Sequence, residues 1–243
     1  MKPISASGIR MFRNCPRQWA FNYIAKLPKK QWPYFEFGTS LHSVAEHWLK
    51  TGELATDADQ KILDLFCEGI PFLPEPGSVI VEGRQTFEID DIPFIVIIDW
   101  RDDANQELGD HKTTGNPQWI MSPEKLATDT QAMLYAAYAV IELNWDPVNL
   151  KWLYYIKGGR GRARPVKAQV PIDHVLKQFD GLLDDARTMS GWLEQTKDLG
   201  YDDRLELANE FINKTSACGS VGKGCDFAGE CDLFYEGSLN PNE

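Results

Sequence analysis

No apolar run in this chain approaches the roughly 20 residues that a bilayer-spanning helix needs. The first residues, Met1-Lys2-Pro3-Ile4-Ser5-Ala6-Ser7, contain no apolar stretch of the kind a secretory leader carries. An intracellular, cytoplasmic protein with no membrane partner is therefore expected. Basic charge is also scarce: 25 Lys and Arg stand against 36 Asp and Glu, a net charge of −11. That argues against a general nucleic-acid coat, because affinity for phosphates comes from Lys and Arg. It leaves room for a local basic channel. The five cysteines are odd in number and form no C-x2-C pair, which argues against a disulfide framework and against an ordinary zinc finger. There is no internal repeat and no low-complexity segment. What remains is 243 residues, 43% hydrophobic and 12% aromatic, enough for a full core.

Periodicity divides the chain. Residues 5–24 read as helix, capped by Ser5 or Ser7 and interrupted at Pro16. Helices are expected over about 39–49 and 56–68, the latter with Cys67 in an apolar pattern that suggests core. After a Pro-rich loop at 71–77 the period changes to that of strands: 78–88 and 93–100 form a hairpin, and Phe94–Ile98 is apolar throughout, as in a strand covered on both faces. A third strand over 105–112, a long helix over 123–142, a second hairpin over 150–157 and 164–170, and a helix over 172–196 follow. This order predicts an α/β protein with a small mixed sheet flanked by helices.

Asp99 ends the apolar strand, and Asp110-His111-Lys112 ends the next. Residues two apart in a strand point the same way, so Asp110 and Lys112 share a face, and pairing of the two strands brings Asp99 beside them. Phosphodiester hydrolysis requires that set. Carboxylates supply hard oxygen ligands for Mg²⁺ or Mn²⁺, and an ammonium orients the attacking water or stabilises transition-state charge. Asp-x-Lys alone is a common tripeptide. Two further features add weight: His42 in Gly38-Thr39-Ser40-Leu41-His42, with Glu46 one turn on, and Gln131 four residues before Tyr135.

Taken together, Ser5…Phe12-Arg13-Asn14-Cys15-Pro16-Arg17, Gly38–His42, Ile98-Asp99, Asp110-His111-Lys112-Thr113 and Gln131…Tyr135 resemble the PD-(D/E)XK nuclease superfamily. Within it, the chain resembles the branch holding RecB-type nuclease domains, Cas4 exonucleases, AddB-like proteins and phage relatives. The resemblance implies a restriction-endonuclease-like core. A single domain over 1–243 is then expected, with a helical part at 1–70, a catalytic sheet at 78–170, and a C-terminal helix and cysteine segment at 172–243. It implies that His42, Asp99 and Asp110, with the carbonyl of His111, hold Mg²⁺ or Mn²⁺. Lys112 becomes the catalytic lysine, and Gln131 and Tyr135 steady the site or line the DNA path, with Glu82 a weaker candidate. The glycine that the family usually carries three residues before the metal-binding aspartate is Val96 here.

The remaining cysteines, Cys15 upstream and Cys218, Cys225 and Cys231 spaced C-x6-C-x5-C, are soft ligands suited to iron–sulfur or zinc. Similarity to the Cas4 and AddB-like branches implies a [4Fe–4S] cluster clasping the C-terminal segment to the first helix, with zinc as the alternative. The most basic segment, with Lys157, Arg160, Arg162, Arg164 and Lys167, is the candidate DNA contact. Arg17, Lys26, Lys29 and Lys30 form a possible second contact, beside Trp32, Tyr34 and Phe35 as stacking aromatics. The functional expectation is a metal-dependent exonuclease on DNA with free ends or single strands, in recombination, repair or phage DNA metabolism. Helicase or recombination proteins are possible partners. A structure-specific endonuclease, or an inactive DNA- or helicase-binding module, are the competing readings.

Overall fold

The computed structural model describes residues 2–29, 34–158, 161–211, 225–227 and 230–231, without the side chains of 34, 35 and 82. The chain divides into two compact units, one of residues 1–31, 88–93 and 181–243, the other of 32–87 and 94–180. No helix among the described residues is long and apolar enough to cross a membrane.

The first unit holds β1 (Ile4–Ser5), α1 (Ala6–Asn14) and α2 (Pro16–Tyr23). Ser5 caps α1 by accepting the Gly8 N–H at 3.2 Å. Pro16 opens α2 at its first turn, where a missing N–H costs nothing, so the predicted interruption is a clean break between two helices. Trp19 is fully buried, stacked on Tyr23 at 5.7 Å and edge-on to Phe12 at 5.2 Å. Arg13 binds the Asp185 carboxylate and the Gly181 carbonyl, the latter at 2.8 Å. Buried Arg17 donates to the Phe211 carbonyl at 2.9 Å.

In the second unit, α3 (Tyr34–Thr51) and α4 (Gln60–Cys67) precede β2 (Ile80–Ile89), β3 (Ile92–Asp102) and β4 (Glu107–Thr114). Asp90 and Asp91 turn the β2–β3 hairpin, both with left-handed φ (53° and 60°), as a two-residue turn between twisted strands requires. From β4 the chain passes through α5 (Pro123–Leu126) and α6 (Thr130–Leu143) to β5 (Val148–Ile156), parallel to β4. That crossover is what a parallel pair demands. β6 (Arg162–Val170) returns antiparallel to β5. Of the two helices that follow, α7 (Ile172–Gln195) belongs to the second unit only as far as residue 180, and α8 (Tyr201–Glu210) belongs to the first. Strands β3, β4, β5 and β6 lie side by side in that order, with β2 paired on β3.

Alternation along β5 assigns the faces. Leu153 and Tyr155 join Trp100, Leu41, Leu49 and Phe66 in a core under α3 and α4. Trp152 meets Tyr135 of α6 at 5.9 Å on the opposite face. The sheet is thus mixed and covered by helices on both sides, as its sequence pattern predicts.

Three expectations need correction. The helix predicted over 123–142 is two, because Asp129 caps a fresh start by accepting the N–H groups of Gln131 and Ala132. Cys67 is exposed, since the buried stripe of α4 runs through Ile62, Leu65 and Phe66 and turns away before it. Helix α8 gave no sequence signal: it buries only Ala208 and is otherwise largely polar.

Candidate active site

The register places Trp100 opposite Gly109. One step further along, Asp99 and Asp110 come to the same place on the sheet. His111 N–H donates to Asp99 Oδ2 at 2.6 Å, tying the carboxylate of one strand to the backbone of the next. His42, on α3, sets its Nδ1 3.4 Å from Asp99 Oδ1. Lys112, two residues beyond Asp110 on the same face, pairs with Asp110 Oδ2.

Helix α6 supplies the brace. Gln131 donates from Nε2 to Asp110 Oδ1 at 2.8 Å, while its Oε1 accepts from Lys112 Nζ at 2.8 Å. One amide thus holds both charged groups in register. Gln131 Nε2 also donates to the Tyr135 hydroxyl at 2.8 Å, and that hydroxyl donates to the Ile97 carbonyl on β3. Lys112 Nζ lies 5.8 Å above the Trp152 ring. Its side chain is 29% exposed, against 3% for Asp110 beneath it.

The His111 ring faces the other way. It sits 4.8 Å from Trp100, 5.6 Å from His42 and 5.7 Å from Tyr155, with neither ring nitrogen hydrogen-bonded. Burial, reinforced by the His42 and Lys112 charges and opposed by Asp99, lowers its pKa to about 4. The ring is therefore neutral and packs the sheet, while the His111 peptide positions Asp99.

Electrostatics separate the two carboxylates. Burial acts to raise Asp99, but the hydrogen bond and charge of His42 and the hydrogen bond from the His111 backbone outweigh it and hold the pKa below the usual range. His42 is raised: burial opposes this, and Asp99 and Asp110 overcome it. Asp110 is pushed up to about 6 by burial and by Asp99, against the pull of Lys112. Outside its ion pair with Lys112, the buried Asp110 Oδ2 accepts no hydrogen bond. A hard cation suits an acceptor with that unused capacity. Among the described residues, no group of three His, Cys, Asp or Glu side chains forms a ready-made metal cage. The set presented is two carboxylates with an imidazole at Asp99.

Asp110 makes stability depend on pH. Its folded pKa of about 6 lies above the ordinary 3.8. The proton-linked stabilisation is full below pH 3.8 and lost as pH rises through 6. Above that, the buried charge costs a few kcal/mol, because each tenfold change in proton affinity is worth about 1.4 kcal/mol. Asp110→Asn keeps the acceptor for Gln131 and removes the charge. In chelator at pH 8 it is expected to raise the melting temperature by on the order of 5 °C or more, with about half that gain at pH 5. A variant no more stable than the wild type at pH 8 would show that Lys112 compensates the carboxylate fully.

Of the basic segment, Arg160 lies outside the described residues. Arg162 and Arg164 are exposed, and the register sets Arg164 beside Tyr154 and Tyr154 beside Lys112, in one row across three strands. Residues paired across a sheet share a face, so Arg162 and Arg164 lie on the carboxylate face. Lys167, an odd number of residues away, stands on the opposite face beside Lys151. Lys157 lies 4.7 Å from the Phe37 ring. Glu46 pairs with Lys50 rather than joining His42. Arg17 is buried and engaged with Phe211, which removes it from the suggested phosphate contacts. Trp32 and Lys30, and the side chains of Tyr34, Phe35 and Glu82, are not among the described parts.

The cysteine segment touches α2 in the first unit. Phe227 packs edge-on to Phe21 at 5.8 Å, and Arg17 Nη1 lies 3.9 Å from Cys231 Sγ. Cys15 Sγ caps α2 by accepting the Gln18 N–H at 3.4 Å. Cys218 lies outside the described residues.

One residue that sequence reading passed over is Trp119. It is 72% exposed, seven residues after Lys112, in a 3-10 turn (Pro117–Trp119). A bulky apolar residue inside a run of turn formers was its only signal.

Residues 3–90 match the model of the PD-(D/E)XK nuclease superfamily. The matched stretch contains His42 and ends before Asp99. Among solved structures, the chain is similar to a candidate exonuclease from Eubacterium rectale, at 11% identity and a TM-score of 0.53, covering 80% of this chain and 81% of that one. It is more loosely similar to a phage-related exonuclease from Haemophilus somnus 129PT, at 10% identity and a TM-score of 0.35, covering 79% and 96%. At such identity the first shows a shared fold alone, and the second is too distant to carry an argument. No curated protein matches by sequence.

Proposed function

We propose that this protein, a mixed α/β chain of restriction-endonuclease-like architecture, is a metal-dependent deoxyribonuclease acting on DNA ends, in recombination, repair or phage DNA metabolism. The observation that carries this is the single cluster of Asp99, Asp110 and Lys112, cross-braced by Gln131. A solvated strand end would have no reason to bury two carboxylates beside one another.

Asp99, Asp110 and His42, with the His111 carbonyl, are the residues that would hold Mg²⁺ or Mn²⁺. Such an ion, when bound, polarises the phosphoryl oxygen and lowers the pKa of water. The chain's own residues do the rest. The His111 N–H fixes Asp99, Gln131 fixes Asp110, and Tyr135 locks Gln131 to the β3 backbone at Ile97. Lys112, held by Gln131 yet open to solvent, offers a positive donor where charge grows on the attacked phosphate. Arg162 and Arg164 extend positive charge along the same face for the backbone of the strand.

The test is incubation of end-labelled linear DNA and of a covalently closed circle with Mg²⁺, with Mn²⁺ or with chelator. The expected result is metal-dependent loss of label from linear DNA and an intact circle. Cutting of the circle would make it an endonuclease. A protein that takes up the metal and leaves every substrate intact would end the nuclease reading.

The cysteines support a second cofactor under the same reading, a [4Fe–4S] cluster on Cys15, Cys218, Cys225 and Cys231. Cys15 and Cys231 both carry N–H groups directed at sulfur, and such bonds tune iron–sulfur clusters. Anaerobically purified protein is expected to be brown, with broad absorption at about 400 nm that Cys15→Ser removes. A colourless protein holding zinc would replace the cluster with a zinc clasp.

A further inference from the structure

We propose that Trp119 is a stacking platform for an unpaired base of the strand entering the site, which makes single-stranded DNA the preferred substrate; this rests on the nuclease reading above. The indole is 72% exposed, the most exposed of the large hydrophobic side chains described. The fold makes no use of it, yet the turn that carries it is firmly fastened. Buried Thr114 donates from its hydroxyl to the Asn116 carbonyl at 2.9 Å and accepts the Asn116 N–H at 3.1 Å. The Asn116 side chain accepts the Gln118 N–H at 2.9 Å, and Trp119 N–H returns to the Asn116 carbonyl at 3.0 Å. Pro117 fixes its own φ within that turn. The backbone that carries the ring is already ordered, so a partner has only the indole's own two torsions to fix on binding.

Position and charge identify the partner. The turn leaves β4 at Thr114, two residues after Lys112, and Thr114 stands in the row that continues through Ile156 to Arg162. The exposed indole therefore projects from a turn at the end of the sheet where Arg162 and Arg164 present exposed guanidinium groups on the carboxylate face. In a chain of net charge −11, exposed cations at the same end of the sheet as an exposed aromatic suit a polyanion with planar apolar rings. Unpaired bases stack on such rings whatever their sequence, while a closed duplex keeps its bases stacked on each other.

The test measures binding of a fluorescent oligothymidylate and of a blunt duplex in chelator, so that neither is consumed, for the wild type, Trp119→Ala and Trp119→Phe. Trp119→Ala is expected to bind the single strand about tenfold more weakly, with unchanged duplex binding and unchanged melting temperature, and Trp119→Phe to recover most of the loss. An abasic residue walked along the oligonucleotide should weaken wild-type binding at one position and leave Trp119→Ala indifferent there. Unchanged single-strand binding in Trp119→Ala, beside a wild type that digests DNA, overturns the platform and spares the nuclease. Equal losses on single strand and duplex also overturn it. A wild type that neither binds nor digests DNA removes the reading on which the platform rests.

Discussion

Replacing Lys112 with alanine is expected to slow DNA cleavage by about 10²–10³-fold, the usual cost of losing one transition-state donor, while metal uptake persists. The ammonium reaches Asp110 and Gln131 together, and the helix that carries Gln131 is anchored to β3 through Tyr135. It is thus a positioned charge rather than a surface lysine that happens to be near. Lys112→Arg keeps the charge, but a planar guanidinium cannot replace a compact ammonium between a carboxylate and an amide, so most of the loss should remain. The measurement is single-turnover cleavage of labelled DNA at saturating Mn²⁺, beside metal binding by calorimetry. Equal activity in wild type and alanine variant would mean that chemistry lies elsewhere. Loss of metal binding together with activity would recast Lys112 as a structural support.

Gly109→Ala should be the most damaging single methyl in the described sheet. A Cβ on Gly109 would stand 1.7 Å from Cε2 of Trp100, far inside contact. Trp100 cannot retreat: it is fully buried, belongs to the core with α3 and α4, and faces the His111 ring at 4.8 Å. Overpacking a core usually costs about 1–3 kcal/mol, and the backbone on both strands must part here, so the upper end applies. A fall of about 10 °C in melting temperature is expected for a chain of this size. Because Asp99 directly precedes Trp100 and Asp110 directly follows Gly109, cleavage should drop as well, even at temperatures where the variant is folded. Thermal unfolding checks the first, and cleavage measured well below the unfolding midpoint checks the second. A variant as stable as the wild type would mean that the indole can lie elsewhere than over Gly109.

Much of the sheet was legible because strand chemistry is local. The apolar run Phe94–Ile98 and the alternation through Asp110 and Lys112 each report their own conformation without reference to distant residues. Helices were legible where they bury a stripe, as in α3 and α4, and illegible where they do not, as in α8. The split between α5 and α6 was hidden for a different reason. Asp129 in an otherwise helical pattern reads equally well as a surface residue, and only its hydrogen bonds to Gln131 and Ala132 mark it as a cap.

The sequence by itself determined which side chains can do chemistry: Asp110 and Lys112 had to share a face, because strand period is two. Tertiary structure alone decided the rest. It chose the register that brings Asp99 to Asp110, which depends on a glycine small enough to lie under Trp100. It placed His42 on Asp99 and turned the His111 ring into the core. It sent Arg162 and Arg164 to the carboxylate face and Lys167 to the other, a separation fixed by the pairing of β6 with β5. These are matters of which strand meets which and in what register, and they follow from the packing of residues far apart in the chain. No local pattern encodes them.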